Sequence, residues 1–91
     1  MSNTMDQLKA AELAVKRAKR DKEVELVVFR LDDLFNAVKH PTASVRVSHG
    51  WEGCDEYIYV HINKAVYTVN ITADSKMAIV KDVVDKVIYK F

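Results

Sequence analysis

The sequence predicts an α+β domain: a three- or four-stranded antiparallel sheet with helices packed on one face. Three observations carry that expectation. Tyr57 to Ile62 and Ala65 to Thr72 alternate inward and outward side chains around Asn63-Lys64, as a two-residue hairpin requires. Near the end of the chain, Met77, Val80, Val84, Val87, Ile88 and Phe91 recur at helical spacing. The front is rich in Ala, Leu, Lys and Arg, all good helix formers. With 91 residues, 49% hydrophobic and 30% charged, the chain is sized for one domain and too apolar for a disordered segment.

Thr4-Met5-Asp6-Gln7 has the form of a capping box opening a helix over residues 5–20. Met5, Leu8, Ala11, Val15 and Ala18 make its apolar stripe, which is thin because it depends on alanine. Such a helix docks weakly on its own domain, or docks on a partner. Val24 to Leu31 (VELVVFRL) is β-branched and reads as a strand, with prolongation of the first helix as the alternative. Residues 31–40 read as a short helix capped by Asp32, buried through Leu31, Leu34, Phe35 and Val38, and ended by Pro41.

Val45 and Val47 alternate with polar neighbours in a strand, and a loop from His49 to Asp55 holds both glycines. In the hairpin that follows, the turn pairs Ile62 with Ala65, Val60 with Tyr67 and Ile58 with Val69 on the apolar face. Tyr57, Tyr59, His61, Val66, Thr68 and Asn70 fall on the other face. Thr72 or Asp74 is expected to cap the last helix, whose apolar stripe closes over the sheet.

Charge is unevenly distributed. Lys9, Lys16, Arg17, Lys19, Arg20 and Lys22 stand against Glu12 and Asp21, a net +4, while the whole chain totals +1. The remainder is therefore net acidic, and the front helix offers a face to an anionic partner. No apolar run approaches the roughly 20 residues that span a bilayer, and the helix lacks the Trp or Phe of a membrane-surface anchor. The polar start has no signal-peptide core, and one cysteine, Cys54, forms no internal disulfide. A cytoplasmic protein with no membrane partner is the expectation.

No motif names a reaction. His49, Cys54 and His61, with Asp55, are the one trio that resembles a metal set, and their spacing lacks the close pairs of zinc sites. Neither metal nor cofactor is expected. Cys54 has no evident activating partner, and Gly50 and Gly53 do not form a phosphate-cradling loop. Asp32-Asp33 and Asp55-Glu56 suit cap and turn chemistry. The tyrosine face resembles a base-stacking platform, but no basic residues interleave with it.

From Leu31 to Phe91 the expected order is helix, three antiparallel strands, helix. That order resembles the double-stranded RNA-binding domain, over about 60 residues of the 91. The resemblance implies that the His49–Cys54 loop enters a minor groove and that Lys76 and Lys81, in Ser75-Lys76-Met77-Ala78-Ile79-Val80-Lys81, grip phosphates. The same order is similar to that of Hic-type mRNA interferase toxins, where Ser48-His49 would supply a general acid or base.

The expected function is non-catalytic binding of RNA or another polyanion through Lys9, Lys16, Arg17, Lys19 and Arg20, with Lys76 and Lys81 second. One alternative is a small inhibitor or regulator, of the kind phages and mobile elements encode, docking on an acidic protein surface. The other is a small ribonuclease toxin using His49. A homodimer is compatible with each, since a thin-striped helix gains stability on a twin.

Overall fold

A computed structural model describes residues 3–91, with side chains placed from residue 6 onward. One α-helix, α1 (Asn3–Val38), leads into strands β1 (Val45–Glu52), β2 (Asp55–Ile62) and β3 (Ala65–Asn70). Helix α2 (Lys76–Val87) and a short 3-10 turn (Ile88–Lys90) close the chain. The sheet is antiparallel in the order β1-β2-β3, and both helices contact the same side of it. The α+β class stands, with three strands rather than four.

The largest correction concerns Val24–Leu31, which is helix and not strand. The helix expected over residues 5–20 and the short one over 31–40 are two ends of α1. Val24, Val27, Leu31 and Phe35 recur every three or four residues and are all buried, with Val28 packed beside them. Helical period and burial together override the β preference of a Val-rich run. Asp32 is therefore mid-helix and caps nothing. Its carboxylate accepts the Val47 amide at 2.9 Å, and Asn36 donates to the Val45 carbonyl at 3.2 Å. These side chains satisfy groups on the outer edge of β1 that would otherwise be open to strand pairing. Leu34 and Val38, expected inside, are exposed.

Only the rear of α1 is anchored. A helix of 36 residues is about 54 Å long at 1.5 Å per residue, and the molecule measures 60 × 21 × 17 Å. Its radius of gyration, 16.0 Å, exceeds the roughly 12 Å of a compact domain this size. Residues 6–16 are exposed throughout. The expected stripe through Leu8, Ala11, Val15 and Ala18 faces solvent, not the sheet. Thr4 already lies within the helix, and its side chain and that of Met5 fall outside the described residues.

The β2–β3 hairpin has the expected register, Ile62 with Ala65, Val60 with Tyr67 and Ile58 with Val69. Asn63 takes the left-handed turn conformation at φ 56°. The His49–Asp55 loop is absent, because β1 continues to Glu52 and turns at Gly53-Cys54 to pair Glu52 with Asp55. Ser75, not Thr72 or Asp74, caps α2 by accepting the Ala78 amide at 3.1 Å. The buried stripe of α2 is Ile79, Val83 and Val87, so the expected Met77–Val80 line turns outward.

Candidate functional site

Where α1 crosses the β1–β2 end of the sheet, a polar cluster replaces the apolar core. Alternation along β2 puts Glu56 in line with Ile58, Val60 and Ile62, so a carboxylate points inward at 1% exposure. Such a charge needs partners. Arg20 of α1 donates Nε to Glu56 Oε1 at 2.9 Å, and His49 of β1 donates Nε2–H to Oε2 at 2.6 Å. The other Arg20 nitrogens reach the carbonyls of Asp74 at 2.6 Å and Ile71 at 3.1 Å.

A second layer sits closer to solvent. Asp21 Oδ1 accepts the Trp51 indole N–H at 2.8 Å and lies 4.0 Å from His49 Nδ1. The Arg17 guanidinium is 4.6 Å from the centre of the Trp51 ring and donates to the Gly53 carbonyl at 3.0 Å. Arg17, Trp51, Asp21, His49, Glu56 and Arg20 thus form one continuous network joining α1 to the β1–β2 hairpin.

Asp21, His49 and Glu56 offer ligand atoms within 4.8 Å of one another, the geometry a cation would need. Each is already engaged, however, and the Arg20 guanidinium on Glu56 repels a metal ion. The trio His49, Cys54 and His61 does not assemble. His49 pairs with inward Ile58, whereas His61 pairs with outward Arg46 on the opposite face, and Cys54 is exposed in the turn. Both ring nitrogens of His49 face carboxylates, so acid–base work on a substrate would require it to leave Glu56.

The expected binding residues divide into groups. Lys9, Lys16 and Lys19 are exposed along the front of α1, with no ion-pair partner among the described residues. Arg17 and Arg20 turn toward the body, in a depression they share with Lys16, Trp51 and Cys54. Lys76 and Lys81 are exposed beside a groove of about 490 Å³ between α1 and α2, lined by Val27, Leu31, Leu34, Met77 and Val80. Within one chain this groove and the Arg17–Arg20 depression are separate.

Asp74, on the loop before α2, has its pKa raised, first by its interaction with the Asp82 carboxyl and then by desolvation. Arg20 opposes that shift and Glu56 adds to it. On the open sheet face, Tyr57 and Tyr59 lie with ring centres 6.2 Å apart. Desolvation, with neighbouring Glu52 second, raises the pKa of the Tyr59 phenol.

Glu56 is the residue that sequence reasoning passed over, assigning it to turn chemistry. Its signal was parity with Ile58, Val60 and Ile62. Comparison with protein-family models, with curated proteins and with solved structures finds no match to this chain.

Proposed function

We propose that the chain is a non-catalytic binding protein that takes RNA or another polyanion on the front of α1. The observation carrying this reading is the exposed lysine set Lys9, Lys16 and Lys19 on the front of α1, where residues 6–16 are exposed throughout. Lysines that form no ion pair keep their attraction for phosphate, and a projecting helix can lie along a groove or backbone. Arg17 contributes through its exposed edge, and Arg20 through its field, since its donors are held by Glu56, Ile71 and Asp74. Lys76 and Lys81 form the second contact.

The helix, three-strand, helix order agrees with a reading like that of the double-stranded RNA-binding domain. The two-residue turn at Gly53-Cys54 cannot serve as its long groove-reading loop, so recognition rests on the helices. Electrophoretic titration with duplex RNA, duplex DNA and single strands at two salt concentrations tests the reading. Affinity is expected to fall with salt, at a slope of about −0.9 per phosphate neutralised on B-form DNA and a comparable one on duplex RNA. Absence of binding to all three at low salt would reject it and favour docking on a protein.

A further inference from the structure

One face of α1 has the same chemistry read in either direction. At helical spacing it carries Leu8, Glu12, Val15, Lys19, Glu23, Val27, Arg30 and Leu34, with Leu26 beside Val27. Residues equidistant from Asp21 are Lys19 and Glu23, Val15 and Val27, Glu12 and Arg30, Leu8 and Leu34. Each couple is apolar with apolar or acid with base. A two-fold axis at Asp21 would set every one of these side chains opposite its complement on a second, antiparallel helix.

Apart from Val27, which is buried at the groove between α1 and α2, the surface along this face is unsatisfied. Glu12, Lys19, Glu23 and Arg30 are exposed and have no ion-pair partner among the described residues. Leu8 is 60% exposed, Leu26 63% and Met77 83%, large losses for apolar side chains. Shallow depressions follow the face from Leu8 and Val15, past Glu23 and Arg30, to the groove between α1 and α2. Antiparallel pairing brings the second copy's Leu8 to Leu34, at the edge of that groove.

We propose that the chain forms an antiparallel homodimer in which the front of each α1 seats along the rear of the other, in the groove beside α2. The self-complementary order is what points to a second copy. An isologous interface requires it, whereas an unrelated partner gives no reason for it.

Resting on the polyanion reading, the dimer also completes the basic site. Lys9 and Lys16 share a helix flank with Val27 and Leu34, the flank on which Met77 and Val80 of α2 pack. An antiparallel dyad keeps that flank on one side for both copies. The second copy's Lys16 therefore comes beside Lys76 and its Lys9 beside Lys81. The two lysine sets that stand apart in one chain become one continuous strip, closed by an anion that offsets their repulsion.

Sedimentation equilibrium tests the register. Wild type is expected to be a dimer, and Glu12→Arg or Arg30→Glu to weaken it about tenfold, because the dyad repeats each reversed pair. The double variant Glu12→Arg/Arg30→Glu is expected to restore it. All of these changes lie on exposed positions, and circular dichroism checks that the fold is kept. Wild type that stays monomeric at millimolar concentration, a dimer indifferent to both single changes, or a double variant that fails to recover would each overturn the proposal. A dimer with this charge dependence that binds none of duplex RNA, duplex DNA and single strands at low salt keeps the homodimer and rejects the polyanion reading.

Discussion

Arg20 donates to Glu56 at 2.9 Å while its two terminal nitrogens hold the carbonyls of Ile71 and Asp74. One guanidinium therefore ties α1 to β2 and to the β3–α2 connection at once. Lysine has neither the reach nor the forked geometry to replace it. The pair explains why a long helix with a thin front stripe is nonetheless fixed firmly to the sheet from Arg17 onward.

Removing Glu56 should be costly. Glu56→Ala leaves Arg20 without its carboxylate and His49 without its acceptor, and is expected to lower stability by about 3 kcal/mol, the scale for breaking a buried pair from one side. Urea denaturation of the variant measures this. A loss within error of zero would mean that solvent already screens the pair.

Asp74 should make stability pH-dependent in a defined direction. Its folded pKa is raised by Asp82 and by desolvation. Its contribution is therefore full below the ordinary carboxylate pKa and is lost as pH rises through the raised value. Asp82→Asn removes the like charge, so the variant should be more stable than wild type at neutral pH. That advantage should shrink on acidification, as thermal melts across the acid range will show.

Gly50 gives Tyr59 its place. A Cβ at Gly50 would stand 3.0 Å from the Tyr59 Cε2 atom, so the ring must shift for any larger residue to fit. Gly50→Ala is expected to cost about 1 kcal/mol, within the range typical of single substitutions. Near-ultraviolet circular dichroism should report the displaced tyrosine.

The register of α2 is tested by two truncations. Ile79 is fully buried, and Ile79→Ala should cost about 3 kcal/mol through lost burial and the cavity left behind. Ile88, which the sequence pattern places inside, is 45% exposed, and Ile88→Ala should cost less than about 1 kcal/mol. Equal losses in chemical denaturation would contradict this packing.

The sequence by itself determined the α+β class, the order of the sheet and final helix, and the register of the β2–β3 hairpin. Those features rest on local chemistry: a turn at Asn63-Lys64, period-two alternation beside it, and a helical run after Ser75. The free lysines on the front helix were also legible, because charge patterning needs no tertiary contact. Other features depended on what the chain packs against. Val24–Leu31 has strand propensity but lies in α1, since Val24, Val27 and Leu31 bury on a sheet that only the folded chain supplies. Asp32 and Glu56 look like turn and cap residues in sequence, yet they pair with groups far along the chain. Tertiary structure decided those roles, because a buried charge on the central strand β2, or an open amide on the edge strand β1, takes its partner from whichever element is brought against it.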